Sequence, residues 1–317
     1  MYSWLSLLTI LIYSHVIVKA QTPVVLWHGM GDDCCNPDSM GRITDLIKQH
    51  VPGIFVHSVK IGDSENSDRN AGFFGVIDNQ VDYACEQLAT IPELANGFNA
   101  VGFSQGGLFM RAYVERCNQP QVRHLVTFGS PHGGVSDIPN CENIHDFKCT
   151  LMRTMVKRGV YTDYVQHHVI QAQYFKSPSD YEAYLEHNIF LPRLNNQIES
   201  KYQNTTYRDN LASLESFVMI KFADDTMIKP PESAWFWTLD QDNEIWPLKD
   251  QVIYQDDLLG LQLLDHDAKL KFMTCPGSHM QISDDYFVNQ VIQPLLSSTG
   301  DQNKVNGPGI RFVNQQA

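Results

Sequence analysis

Three polar residues have the side chains that nucleophilic acyl transfer requires, and they occur along the chain in the order Ser104, Asp225, His279. A serine hydroxyl is a weak nucleophile, so it needs a neighbouring base such as an imidazole to take its proton. A carboxylate can then orient the imidazole and stabilise the charge that it gains. Because the three residues are far apart in the sequence, this hypothesis requires a fold that brings them together.

Ser104 lies in the sequence Gly-Phe-Ser-Gln-Gly, a G-x-S-x-G pattern. Residues 98–103 are typical of a buried strand and residues 105–116 of a helix, so Ser104 is predicted on the sharp turn between them. Glycines at positions 102 and 106 would let the strand and the helix approach closely. This is the nucleophile elbow of α/β-hydrolases, although a match over five residues also arises by chance in loops.

Asp225 and His279 also follow predicted strands, at residues 217–222 and 270–274. The site of an open α/β sheet lies beyond the carboxyl ends of its strands, so all three side chains are predicted at one edge. The order Ser, Asp, His is the one found in α/β-hydrolases. Asp224 is the alternative acid, and we favour Asp225.

Other histidines fit the role of the base less well. His266 precedes its strand, at the opposite end of the sheet, whereas His28 and His132 lie in turns where a structural role is expected.

A glycine-rich turn at residues 28–31 follows the first predicted strand, residues 22–27. α/β-hydrolases place one backbone donor of the oxyanion hole in such a turn. We therefore predict the N–H of Met30 as one donor and the N–H of Gln105, directly after the nucleophile, as the other. An ordinary turn between a strand and a helix is the alternative.

Alternating strand and helix patterns predict an α/β fold with a mostly parallel central sheet flanked by helices. Further strands are predicted at residues 54–61 and 122–129, and a polar loop at residues 62–70. The remaining predicted helices outside the middle of the chain occupy residues 38–50, 75–89 and 285–296.

From residue 130 to about 214 the pattern changes, and we predict a largely helical cap inserted between two strands of the sheet. Its helices are predicted at residues 147–158, 161–175, 180–185 and 194–200. The aliphatic and aromatic residues of the cap either line a groove for an acyl chain or form ordinary core. They are Leu151, Met152, Met155, Val160, Tyr164, Val169, Ile170, Tyr174 and Phe175.

The two ends of the chain differ from this domain. Residues 1–20 have the apolar run and the small-x-small end of a secretory signal peptide, and the run is too short to span a bilayer. We expect a single α/β-hydrolase domain over residues 21–297 and a flexible tail at residues 298–317. The formal net charge of −13 makes a nucleic-acid partner improbable and disfavours docking on an anionic membrane.

Seven cysteines fit an oxidising compartment, and none has the spacing of a metal site. We pair Cys141 with Cys149, which are close in the chain, and Cys85 with Cys117, which lie on predicted helices flanking the Ser104 strand. Cys34 and Cys35 are either a vicinal disulfide or two thiols, and Cys275 remains as the odd thiol.

Several stretches together resemble the lysosomal palmitoyl-protein thioesterase family. They are Trp-His-Gly-Met-Gly-Asp-Asp-Cys-Cys-Asn-Pro from residue 27, Gly-Phe-Ser-Gln-Gly-Gly from residue 102, Val-Met-Ile-Lys-Phe from residue 218, and Gly-Ser-His from residue 277. The resemblance covers about residues 22–296. It implies Ser104, Asp225 and His279 as the catalytic triad, and the amides of Met30 and Gln105 as the oxyanion hole.

The resemblance has further implications. It selects the vicinal Cys34–Cys35 bridge, supports the Cys85–Cys117 and Cys141–Cys149 pairs, and implies a groove for palmitate between cap and sheet. The chain departs from the family pattern in its glycosylation sites. Asn204 begins the only sequon, and Asp224 stands where some members have a glycosylated asparagine.

The function expected from these observations is hydrolysis of fatty-acyl thioesters on S-palmitoylated proteins, in the lysosome after passage through the secretory pathway, with no cofactor. An acyl-CoA thioesterase or an oxygen-ester lipase could use the same triad. A non-catalytic lipid-binding protein is the alternative from another class.

Overall fold

The computed structural model describes residues 21–137 and 159–297, and a parallel six-stranded sheet forms its centre. The order across the sheet is β2-β1-β3-β4-β5-β8, and a two-stranded antiparallel hairpin, β6-β7, lies apart from it. The strands are β1 Val24–Trp27, β2 Val56–Ser58, β3 Phe98–Phe103, β4 Val122–Phe128, β5 Ser216–Phe222, β6 Thr238–Leu239, β7 Ile245–Trp246 and β8 Leu270–Cys275.

The central strands are apolar because helices cover both faces of the sheet. Every residue of β3 is buried, and successive side chains enter opposite layers, with Ala100 in one hydrophobic cluster and Val101 in the other. The chain leaves β1 for β2 on one side and then crosses to β3 on the other side. A crevice therefore opens at the carboxyl ends of β1 and β3, where Ser104 lies. The predicted α/β-hydrolase fold is confirmed.

The described helices lie between and after these strands. They are α1 Arg42–His50, α2 Glu65–Ala71, α3 Ile77–Ala89, α4 Gln105–Arg116, α5 Asp163–Gln166, α6 Tyr181–His187, α7 Leu191–Leu194, α8 Thr205–Ala212, α9 Val252–Gln255, α10 Leu261–His266 and α11 Asp284–Phe287. A π-helical turn, Pro37–Gly41, precedes α1, and a longer π-helical segment, Val288–Leu296, continues α11. Within the two described ranges, no helix combines the length and hydropathy needed to cross a bilayer.

The polar loop predicted at residues 62–70 is wrong, because this stretch contains α2. The helix has no apolar stripe that could predict it. Instead Ser64 and Ser67 form a reciprocal capping box at its start, and its one buried residue is Asp68. Local hydrogen bonds at the helix start replace the usual hydrophobic face.

In the cap, the helix predicted at residues 161–175 is wrong, since α5 and a 3-10 turn, Ile170–Tyr174, take its place. Buried glutamines explain the break, because their side chains satisfy backbone carbonyls in place of a regular helix. The amide of Gln166 donates to the carbonyls of Val160 and Ala172, both at 2.9 Å.

Other strands and helices also begin or end at residues different from those predicted. The strand predicted at residues 54–61 is only three residues long, since β2 is an edge strand paired with β1 alone. The cap helix predicted at residues 180–185 is α6, and the one predicted at residues 194–200 lies earlier, as α7.

Several expectations fall outside the described residues. They are the signal peptide, the Cys141–Cys149 pair, the helix at residues 147–158 with Leu151, Met152 and Met155, and the tail at residues 298–317.

Candidate active site

Ser104 is held on a strained turn between β3 and α4. Its backbone has φ 52° and ψ −127°, in a region that side-chain-bearing residues rarely adopt. The flanking glycines make the turn possible, because a Cβ on Gly102 would lie 2.3 Å from the Cα of Gly107, and one on Gly106 would lie 2.2 Å from the carbonyl oxygen of His28. The local geometry is that of a nucleophile elbow.

His279 and Asp225 complete a hydrogen-bonded chain with this serine. Nε2 of His279 lies 3.0 Å from Oγ of Ser104, and Nδ1 lies 2.7 Å from Oδ2 of Asp225. The second oxygen of Asp225 accepts hydrogen bonds from the backbone N–H groups of Met227 and Ile228. The carboxylate is therefore fixed in place and oriented toward the imidazole.

Asp224 takes no part in this arrangement. The side chain of Asp224 is exposed, whereas that of Asp225 is buried. The backbone N–H of Asp224 donates to the carbonyl of Gly277. That hydrogen bond joins the turn after β5 to the turn after β8, which carries His279.

The alternative histidines lie elsewhere. His266 is exposed on α10 beside Asp267. His132 is fully buried and stacked on Phe236, and burial, together with the positive charge of Arg111, keeps its pKa well below the usual range.

His28 is the first residue of the glycine-rich turn, and it forms a buried pair with Asp68 of α2. Its Nε2 lies 3.1 Å from Oδ1 of Asp68, and both side chains are almost fully buried. Burial opposes the charged imidazole, but Asp68, with a smaller effect from Asp32, raises the pKa of His28 above its ordinary value. The structural role expected of His28 is thus to join this turn to α2.

The two predicted oxyanion donors are backbone amides beside Ser104. The turn of residues 28–31 packs directly on the elbow, since a Cβ on Gly29 would lie 3.0 Å from that of Ser104. Met30 and Ser104 line the same cavity. Among the described residues, neither the N–H of Met30 nor that of Gln105 has a hydrogen-bond acceptor, so both are available to a developing oxyanion.

Asp68 and Gly72 hold the residues beside the two predicted donors, and the sequence patterns did not reveal this contribution of α2 and its end. Asp68 accepts hydrogen bonds from the N–H groups of Cys34 (2.8 Å) and Ile61 (2.7 Å) in addition to its contact with His28. The carbonyl of Gly72, just after α2, accepts from the side-chain amide of Gln105 at 3.0 Å. Asp68 lay in a stretch predicted as loop, so no spacing singled it out.

A cavity of about 360 Å³ opens beside Ser104 and His279. Its walls combine apolar, polar and acidic side chains. The residues that line it include Met40, Ile43, Phe103, Val135, Tyr174, Phe175, Met227, Ile228, Met280 and Ile282, together with Asp32, Asp38, Asp137 and Arg42.

The predicted groove residues divide into two groups. Tyr174 and Phe175 line this cavity. Ile170 is buried in the main core, Val160 and Val169 pack in a separate small cluster, and Tyr164 is 56% exposed. None of these four residues lines the cavity, so for them the interpretation as groove lining is wrong.

The cysteines and the sequon have clear positions. The structure contains the Cys34–Cys35 and Cys85–Cys117 disulfides, and Cys275 is a buried thiol. Asn204 is exposed at the start of α8, where its side-chain oxygen accepts from the N–H of Thr206. Among the described residues, no group of acids, histidines and cysteines is arranged to hold a metal ion.

The sequence matches a known protein family. The sequence profile of the family described as "Palmitoyl protein thioesterase" matches residues 23–279. The chain is 40% identical over 277 residues to palmitoyl-protein thioesterase 1 of Caenorhabditis elegans, covering 86% of this chain and 91% of that protein.

More distant similarities are also found. The chain is 26% identical to the lysosomal thioesterase PPT2 homolog of Drosophila melanogaster, covering 82% of this chain and 86% of that protein. A solved esterase structure from Pyrobaculum calidifontis aligns with a TM-score of 0.42 and 14% identity, covering 85% of this chain and 70% of that one.

Proposed function

The chain belongs to the palmitoyl-protein thioesterase family, and we propose that it hydrolyses long-chain acyl thioesters on protein cysteines by a Ser104–His279–Asp225 mechanism. The observation that carries this proposal is the continuous hydrogen-bonded chain of these residues, with distances of 3.0 and 2.7 Å, at the edge of the cavity.

Acylation begins when Nε2 of His279 takes the proton of Ser104 Oγ as that oxygen attacks the thioester carbonyl. Asp225 keeps the other ring nitrogen oriented and stabilises the imidazolium. The backbone N–H groups of Met30 and Gln105 stabilise the oxyanion, because they are preorganised and have no competing acceptor among the described residues.

The carbon–sulfur bond then breaks, and the cysteine thiolate leaves with the proton that His279 returns. A water molecule, deprotonated by His279, attacks the acyl-enzyme ester and releases the fatty acid, and Ser104 regains its proton. In both steps the proton moves only between His279, Ser104, the substrate sulfur and water. The mechanism therefore needs no cofactor.

The cavity beside Ser104 is the proposed groove for the acyl chain. Its lining offers apolar contact from Met40, Ile43 and Phe175, among others. Each buried methylene contributes about 0.8 kcal/mol, so chain length should select strongly among substrates. The acylated cysteine of a protein would then lie at the mouth of the cavity.

The proposed location is the lysosome, reached through the secretory pathway. Support comes from the signal-like residues 1–20, the exposed sequon at Asn204, and relatives that are named lysosomal thioesterases. Immunostaining of the full chain together with its Asn204→Gln variant tests this proposal. Retention of the wild-type chain in the cytosol would contradict it.

A substrate panel separates the candidate activities. S-palmitoyl peptide should be hydrolysed faster than palmitoyl-CoA or triacylglycerol at equal concentration, and shortening the acyl chain should lower kcat/KM progressively. The control is the Ser104→Ala protein with each substrate. Preference for triacylglycerol would replace the proposal with a lipase, and preference for the CoA ester with an acyl-CoA thioesterase.

Labelling distinguishes an enzyme from a lipid-binding protein. A fluorophosphonate should modify Ser104 in the wild type and leave Ser104→Ala unmodified, because only an activated serine reacts rapidly. An unlabelled wild-type protein that still binds palmitate would favour the non-catalytic alternative.

A further inference from the structure

Lys176 is a buried cation that the proposed mechanism does not use. It directly follows Tyr174 and Phe175, which line the catalytic cavity, but its own side chain lines two other cavities. It is 4% exposed, and its Nζ lies 5.3 Å from the ring centre of Tyr181 and 5.5 Å from that of Tyr184. Over residues 21–137 and 159–297, no carboxylate lies within 4.0 Å of this ammonium group.

The two cavities adjoin, since both are lined by Lys176, Tyr181 and Trp246, and neither shares a lining residue with the catalytic cavity. The smaller measures about 270 Å³, and Lys176 is its one charged residue among those described. The larger measures about 520 Å³ and also contains Asp240 and Asp242. An anion would therefore be bound in the smaller cavity.

The polar neighbours in the smaller cavity are already engaged. The side-chain amide of Gln203 donates to the carbonyl of Asn196, and that of Gln251 donates to the carbonyl of Trp246. Gln197 accepts a hydrogen bond from Tyr184. Burying an ammonium without an anionic partner is unfavourable, and the π faces of the tyrosines offset only part of this cost. Burial lowers the pKa of Lys176 to about 8, so it is mainly charged at neutral and acidic pH.

An apolar surface leads outward from this cavity. Trp246 and Val252 line it and are also 37% and 54% exposed, and Ile245 beside them is 40% exposed. A cation at the bottom and apolar side chains at the rim match an anionic head group attached to a hydrocarbon chain.

We propose that this Lys176 cavity is a second lipid site, which binds a single-chain anionic amphiphile of the long-chain carboxylate class. Lys176 pairs with the carboxylate, and Trp246 and Val252 contact the chain. A free amphiphile fits better than an anionic membrane, because the protein has a net charge of −13 and Asp240 and Asp242 line the adjoining cavity, so a whole anionic surface would be repelled. The choice of a fatty carboxylate rests on the proposed function, which releases one.

The test uses palmitate and the full chain with its Ser104 modified by hexadecyl fluorophosphonate, so that an alkyl chain occupies the catalytic cavity. Equilibrium dialysis with radiolabelled palmitate should show one bound equivalent. Lys176→Met should weaken this binding by about 10- to 100-fold, the loss expected for hydrogen bonds to a charged group. The matched control is Lys201→Met, since Lys201 also lies over a tyrosine ring but is exposed and paired with Glu199.

Three results would overturn the site: no palmitate bound to the modified wild type, unchanged binding in Lys176→Met, or equally tight and Lys176-independent binding of hexadecanol. Lys176→Met should also keep or raise Tm, because it removes a buried charge, so lost binding is not lost folding. Failure of the fluorophosphonate to modify Ser104 contradicts the proposed function instead. Dialysis of the unmodified protein should then still show that one palmitate binds about 10- to 100-fold more weakly in Lys176→Met.

Discussion

At the scale of single residues, the buried or exposed position of each acid decides which one can assist His279. Asp225 is buried and receives two backbone N–H groups on the oxygen that does not contact His279, whereas Asp224 is exposed. From the sequence alone, either of these neighbouring acids could point toward the histidine. The sequence-based preference for Asp225 agrees with this geometry, and its catalytic role remains a prediction.

Paired substitutions test that role. Asp225→Asn should lower kcat by about 10⁴, because an amide in place of the carboxylate stabilises the wrong tautomer of His279. Asp224→Gln removes the same charge one residue away without creating a glycosylation sequon at residues 224–226, and it should leave kcat within about twofold, because substitutions of exposed side chains have small effects. Steady-state hydrolysis of S-palmitoyl peptide measures both. Equal losses in the two variants would contradict the assignment.

At the scale of secondary structure, α2 contacts the turn that carries Met30, one of the two predicted oxyanion donors. Asp68 joins it to His28, and Gly72 accepts from the side chain of Gln105. The β3 strand, its elbow and α4 could be predicted, because apolar runs and glycine spacing specify them locally. By contrast, α2 could not, since its stability comes from a serine capping box and from contacts with residues distant in sequence.

The His28–Asp68 pair predicts a pH-dependent stability. Because the folded pKa of His28 is raised above its ordinary value, about 6.5, the pair contributes fully below that pH and loses its contribution as the pH rises through the raised pKa. Asp68→Asn should lower the free energy of unfolding by about 3–5 kcal/mol on the acid side, and by less above the raised pKa. Urea unfolding between pH 5 and 9 measures the difference.

Glu65→Gln is the matched control, because Glu65 is an exposed acid on the same helix. It should show little change at any pH. A loss in Asp68→Asn that is the same at every pH would assign the effect to the hydrogen bonds from Cys34 and Ile61 alone, and would contradict a charged His28.

At the scale of the whole molecule, the sheet order places the proposed catalytic residues at the ends of β3, β5 and β8. The glycine-rich turn, with the predicted oxyanion donor Met30, follows the end of β1. That convergence could be predicted from the α/β pattern, because parallel strands share a carboxyl edge. The cap could be predicted only as helical. Buried glutamines in the cap donate side-chain hydrogen bonds to backbone carbonyls where a regular helix would have its own hydrogen bonds. The spacing of apolar residues therefore predicted neither the helix boundaries nor the residues that line the cavity.

The Cys85–Cys117 disulfide joins α3 to the residue after α4, and thus braces the helix that follows Ser104. It closes a loop across a sequence separation of 32 residues, so replacing both cysteines by alanine should lower the free energy of unfolding by about 3–4 kcal/mol. The kcat should change little, since neither cysteine lines the catalytic cavity. Urea unfolding and peptide hydrolysis of the purified double variant check this, and unchanged stability would contradict a bracing role.

Ser104 is the proposed nucleophile, and turnover of S-palmitoyl peptide by Ser104→Ala protein tests this role most directly. Alanine keeps the elbow backbone but removes the attacking oxygen, so kcat should fall by about 10⁶ while the protein stays folded and still binds the acyl chain. Hydrolysis by purified, folded Ser104→Ala protein at a rate close to that of the wild type would contradict the proposed mechanism.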